Sequence, residues 1–206
     1  ERFQKDLNAE ERLGSDRLLA AGERLALGLF MKFVLADSLA LFALGAGNAA
    51  QTQQSGWMWL QLYAYAFRIF FDFAGYTHIA IGLGMLAGIQ LPENFRAPYL
   101  KPDLTQFWNS WHMTLAQWFR AYFFNPMSRA LRKRKWPVWA IILLGQVGTM
   151  VLIGLWHGIT LHFLLWGLWH GLGPFVHNRW ADFRNGRFTQ PNPHLVPVGR
   201  VLPTFH

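Results

Sequence analysis

Apolar residues gather along this chain into blocks long enough to cross a bilayer, parted by short stretches rich in bases or proline. The first 24 residues, with six acids and five bases, predict a solvated helical segment. A first span is expected over residues 25–46, with Lys32 and Asp37 inside it, where charges should face protein or water rather than lipid. The run 57–90 exceeds the 20 or so residues of one upright helix. It predicts either a break near Gly75 or one long tilted element, and Arg68, Asp72 and His78 interrupt it. "LPENFRAPYLKP" (91–102) reads as a proline-punctuated loop. Asp103 and Gln106 have the spacing of a capping box, and Pro126 marks the far end, so a helix is expected over 103–125. Phe107, Trp108, Trp111, Leu115, Trp118, Phe119 and Tyr122 recur at helical spacing, which predicts an amphipathic or re-entrant aromatic helix lying in or dipping into the membrane. His112 falls beside that stripe. "RALRKRK" (129–135) then places five bases in seven residues. Residues 137–156 give about 30 Å of helix, and a second apolar run covers 159–176. Together they predict a membrane hairpin over 137–177, followed by a basic loop over 178–206. Both outer ends of the hairpin are basic, which assigns them to the cytoplasm and the connection near His157 to the opposite side or the membrane interior.

Composition narrows this to an all-α, polytopic transmembrane helical bundle: 52% of the 206 residues are hydrophobic and only 15% charged, well below the quarter usual in soluble domains. A tightly packed soluble helical domain is the alternative. The chain opens on Glu1 and closes as an apolar run begins, so it is expected to be an interior piece of a longer protein. With no cysteine, thiol nucleophiles, disulfides and thiolate metal sites drop out. The net charge of +8 comes from bases at the ends of apolar runs, where membrane lipid headgroups explain it better than nucleic acid does.

The candidate chemistry centres on "GLWHGITLHFLLWGLWHG" (154–171), a membrane-grade stretch holding His157, His162 and His170. An apolar surround disfavours the charged imidazole, and a neutral ring can take a proton from a hydroxyl. His157 sits in that setting between Trp156 and Gly158, and a buried histidine bonded to a carbonyl is an equal alternative. His112, His157 and His162 lack metal-ligand spacing and a partner carboxylate, so no metal is expected. His177 and Asp182 have the His-x4-Asp spacing of lipid acyltransferases, but their basic surroundings favour a solvated surface. No G-x-S-x-G elbow is present. Asp72, in "FFDFAGY", is either a polar contact within the bundle or part of a path. His162 and His170 read as packing or pore-facing.

In order, "FFDFAGYTHIAIG" (70–82), "LPENFRAPYL" (91–100), "FWNSWHMTLAQWFRAYFF" (107–124), "LIGLWHG" (152–158) and "LWGLWHG" (165–171) resemble the membrane-bound O-acyltransferase family, in the branch that acylates alginate and teichoic acid. "GLFMKFVLADSLA" (28–40) extends the match upstream. The resemblance implies a partial family core in a bacterial inner membrane. A passage there would join a cytoplasmic thioester donor to hydroxyls of an extracytoplasmic polysaccharide or cell-wall polymer. It also implies no bound cofactor, the donor being a co-substrate (acetyl-CoA or an acyl-carrier thioester), and a carrier protein or separate extracytoplasmic acetyltransferase as partner. The family's catalytic histidine matches His157 in "LWHG", and a second functional histidine matches His112. His157 would then be the general base, with His112 orienting or polarising a reactant or delivering protons. Trp108, Trp111 and Trp156 would wall the passage and exclude water, with interfacial anchoring as the alternative; Asp72 joins them as a passage candidate. Ser110 stands where relatives often have Arg, and Thr77-His78 where the alginate pattern has Ser-Asp, which weakens an assignment to alginate. A proton-coupled transporter or flippase and a non-catalytic family scaffold are the rival readings. The two histidines lie 45 residues apart, so only the fold can unite them.

Overall fold

Helices and the turns between them make up everything described in the computed structural model, which covers residues 14–184 apart from 46, 50, 51 and 53; no strand occurs among the described residues. The chain divides into two compact units, parted between Asn94 and Phe95.

In the first unit, α1 (Ser15–Leu29) runs through a π-helical turn (Phe30–Ala36) into the short α2 (Asp37–Ala40). The helix therefore begins ten residues before the expected span and takes in part of the polar flank; residues 1–13 lie outside the described residues. α3 (Ser55–Leu86) is a single helix of 32 residues, roughly 48 Å long. The chain thus takes the long-element alternative, with no break at Gly75. The reason lies in packing. A Cβ on Gly75 would come within 2.7 Å of the Gly28 carbonyl oxygen, and one on Gly28 equally near the Gly75 carbonyl. Gly75 is the point where two backbones touch, as small residues allow between membrane helices. Ala21, Ala36 and Ala74 are buried in the same unit.

Several charges of these helices are paired. Lys32 Nζ donates to Asp72 Oδ1 at 2.5 Å. Arg24 reaches both Glu93 and His78 Nδ1, the latter at 3.0 Å. Arg17 Nε donates to the Met85 carbonyl at 2.9 Å.

The second unit opens with a 3₁₀ turn (Pro98–Leu100) inside the expected loop. In α4 (Leu104–Trp108) the Gln106 backbone N–H donates to Asp103 Oδ1, and the Gln106 side chain also donates to Asp103, at Oδ2, both at 2.8 Å. The expected cap forms, although the Gln106 side chain turns to the carboxylate rather than to the capping backbone. The single helix expected over 103–125 does not form. It breaks at Asn109–His112 and resumes as α5 (Met113–Phe119), a π-helical turn (Arg120–Phe124) and α6 (Asn125–Lys133). Pro126 opens α6 rather than ending a helix, since proline in a first turn has no N–H that the helix needs.

α7 (Val138–His157) and α8 (Leu161–Arg184) pack as a helical hairpin, of which α7 alone is long and apolar enough to cross a membrane. Its close side is set by glycine: a Cβ on Gly167 would lie 2.6 Å from the Met150 carbonyl oxygen, and one on Gly171 would lie 2.7 Å from Val147 Cα. α8 runs on to Arg184, so the expected loop from 178 begins as helix; its remainder, 185–206, lies outside the described residues. Phe119, Met150 and Ile153 are buried together, with Trp108, Leu115 and Trp166 packed around them. Among the described residues α3 and α7 are the helices long and apolar enough to cross a membrane.

Candidate active site

The break before α5 is what builds the site. His112 adopts a left-handed backbone (φ 44°) and caps α5, a conformation that costs a non-glycine residue roughly 1–3 kcal/mol and persists only where its surroundings hold it. The turn is tied down where the Arg96 N–H donates to the Ser110 carbonyl at 3.0 Å. From His112 the helical stripe continues through Ala116, Arg120 and Phe124, each four residues on and so on one face.

α7 presents the opposing wall with Gln146, Thr149, Ile153 and His157. Phe124 occupies the space beside Gly145 that a Cβ would need, which sets the two helices antiparallel, with His112 and His157 at one end. Trp166 and Asn178 of α8 close the third side of a cavity of about 170 Å³. That is room for a chain of small ligand atoms rather than one or two waters.

The fold therefore unites the two histidines that sequence placed far apart. The Trp156 ring lies 6.5 Å from the His112 ring and 4.9 Å from the His157 ring, centroid to centroid. Trp156 itself is 60% exposed and is not among the cavity-lining residues. His157 also stacks on Phe163 at 5.9 Å. Gly158 lets that ring close in, because a Cβ there would stand 2.9 Å from it. Burial holds the His112 imidazole far below its ordinary value, at about 4, and the nearby His157 adds to the effect. His112 is thus neutral at physiological pH. Burial also pulls the Arg120 guanidinium down to about 10, which leaves it charged near neutrality.

Trp108 and Trp111 both line the cavity. Trp108 packs edge-on against Trp166 and His170 at 5.5 and 5.3 Å; Trp111 stacks on Phe107 at 5.6 Å. Asp72 is not part of the cavity lining: it belongs to the first unit, where it pairs with Lys32. His170 donates through Nδ1 to the Trp166 carbonyl at 2.9 Å, a packing role. His162 is exposed. Asp182 pairs with Arg179 at 2.5 Å. Among the described residues no three His, Asp or Glu side chains cluster as a metal site would need.

Several polar lining residues escaped the sequence reading. Asn109, Arg120, Gln146 and Thr149 all line the cavity, and Trp108 Nε1, Asn109 Oδ1 and Arg120 Nε are buried without a hydrogen-bond partner among the described residues. A faint signal existed. Gln146 and Thr149 interrupt an otherwise apolar helix on the face that leads to His157, and Arg120 follows His112 at twice the i, i+4 spacing.

Residues 6–205 match the profile of MBOAT, the membrane-bound O-acyltransferase family. The chain is 36% identical to the probable alginate O-acetylase AlgI of Pseudomonas syringae pv. tomato over 190 residues, covering 92% of this chain and 34% of that protein. It is 29% identical to the teichoic acid D-alanyltransferase of Bacillus subtilis over 194 residues, with 93% and 49% covered. It is 35% identical to the peptidoglycan O-acetyltransferase of Helicobacter pylori over 167 residues, with 81% and 31% covered. The chain thus spans between 31% and 49% of the length of these relatives. With a family profile matched across nearly its whole length, this chain belongs to the membrane-bound O-acyltransferase family.

Proposed function

We propose that this chain carries the catalytic core of an inner-membrane O-acyltransferase, which moves an acyl group from a cytoplasmic thioester to hydroxyls of an extracytoplasmic polysaccharide or cell-wall polymer. The observation that carries this reading is the meeting of His112 and His157 in one cavity, walled by tryptophan. The names of the relatives support a polymer acceptor: one is an alginate O-acetylase, one a teichoic acid D-alanyltransferase, one a peptidoglycan O-acetyltransferase.

The chemistry follows from what these side chains can do. Neutral His157 accepts the proton of an acceptor hydroxyl as its oxygen attacks the thioester carbonyl carbon. The tetrahedral intermediate collapses, the carbon–sulfur bond breaks, and the imidazolium returns the proton to the departing thiolate. His112, kept neutral by burial, hydrogen-bonds and orients a reactant without adding a charge. The aromatic walls keep out water that would hydrolyse the thioester. The bases of α6 and of the last turn of α8 support a cytoplasmic position for the ends of the hairpin remote from His157. Acceptor would then reach His157 from the far side.

The test is His157→Ala in the protein as the natural gene encodes it, at matched membrane levels, with ester-linked acyl groups on secreted and wall polymers read by base-released acid. Loss of a general base lowers the rate about 10²- to 10⁴-fold. Equal ester from both proteins would make His157 structural, and the family scaffold reading would take its place. Solute flux without ester would favour transport.

A further inference from the structure

Arg120 has no place in the proton transfers above, yet it lines the same cavity as the two histidines. It stands eight residues beyond His112 on one face, roughly 12 Å along the helix axis, on the side of the cavity that leads to the basic end of α6. Among the described residues no carboxylate lines the cavity. The Arg120 Nε is buried with no hydrogen-bond partner, and Trp108 Nε1 and Asn109 Oδ1 share that condition on the same cavity. A guanidinium Nε withdrawn from water and left without an acceptor is costly. The simplest arrangement that offsets the cost is a ligand bringing its own oxygen acceptor.

The end of the cavity where Arg120 sits is the end from which, on the reading above, the thioester arrives. Thioester donors of both kinds considered, coenzyme A and acyl-carrier protein, present the acyl group on a phosphopantetheine arm. That arm is a slim chain of amide carbonyls ending in a phosphate. A planar fork of N–H donors suits either oxygen type, and suits the phosphate best.

We propose that Arg120 is the binding residue for the phosphopantetheine arm of the acyl donor, holding a phosphate or amide oxygen so that the thioester lies beside His112 and His157. The proposal rests on the acyl-transfer reading. Asn109 Oδ1 accepts from an amide N–H of the arm and Trp108 Nε1 donates to one of its carbonyls, which gives all three orphaned groups partners from one ligand.

The experiment is direct binding of 4′-phosphopantetheine and of pantetheine to the purified full-length protein in detergent, wild type against Arg120→Gln and Arg120→Lys. Thermal unfolding is followed in parallel. Wild type should bind the phosphorylated probe, Arg120→Gln should weaken it about 10- to 100-fold, and Arg120→Lys should fall between, since a point charge keeps part of the contact. If the preference for the phosphorylated probe vanishes in Arg120→Gln, the partner is the phosphate; if both probes weaken alike, it is a carbonyl. Should Arg120→Gln fail to fold, the intermediate weakening in Arg120→Lys decides: affinity for both probes within twofold of wild type overturns the proposal. The same result in a folded Arg120→Gln overturns it while leaving the acyl-transfer reading intact. If wild type binds neither probe, the proposal falls, while the acyl-transfer reading stands or falls separately on the ester formed by wild type and His157→Ala.

Discussion

The two units of this chain treat polar groups in apolar surroundings in opposite ways. In the first, charged groups on or beside the helices find each other, partly exposed: Lys32 with Asp72, Arg24 with Glu93 and His78. In the second, polar groups converge on a cavity, and three of their atoms have no protein partner among the described residues. A satisfied pair holds helices in register. An unsatisfied group stores part of its interaction energy for a ligand. Position in an apolar helix therefore does not separate structural from functional polar residues; the presence of a partner does.

This contrast makes measurable statements beyond those on His157 and Arg120. The largest effect on stability is expected where backbones touch. Gly75→Ala puts a methyl group against the Gly28 carbonyl oxygen and the Lys32 backbone nitrogen, at 2.7 and 2.8 Å. Neither can swing aside, so the first unit should lose about 1–3 kcal/mol, read as a lower midpoint of thermal unfolding in detergent. An unchanged midpoint would mean that the helices separate there at no cost. A smaller loss is expected from Asp72→Asn. The Asp72 side chain is 53% exposed, and pairs so placed contribute about 0–1 kcal/mol. A double-mutant cycle with Lys32→Met isolates that coupling, and a loss above about 2 kcal/mol would show a desolvated pair instead. The smallest stability effect belongs to Asn109→Ala. Its orphaned carbonyl accepts nothing from the protein, so its removal relieves an unsatisfied buried acceptor and should cost no more than about 0.5 kcal/mol of stability while lowering ester formation. A large drop in the unfolding midpoint with activity retained would reverse the comparison, placing Asn109 with the paired residues of the first unit.

Much of this was legible beforehand. The Asp103 cap, the glycine-bearing hairpin and the long apolar block over α3 follow from local pattern, because capping spacing and helical period are properties of neighbouring residues. Resemblance of short motifs named His112 and His157. The break at Asn109–His112 was not legible. The aromatic stripe continues through it at helical spacing, and nothing local announces that His112 will take a left-handed backbone. Nor could periodicity assign Gly75, since the same glycine that suggests a hinge in isolation is a contact point once α1 lies across it.

By itself, then, the sequence determined that the chain is helical, which of its stretches are long and apolar enough to cross a membrane, and which family it resembles. These depend on contacts within a few turns of chain. Tertiary structure alone decided that His112 and His157 share a cavity, that Asp72 belongs with Lys32, and that Arg120 is left facing that cavity without a counter-charge. His112 and His157 lie 45 positions apart, and Lys32 and Asp72 lie 40 apart. Whether a polar group is paired is settled by the helix packed against it, which no stretch of sequence around that group contains.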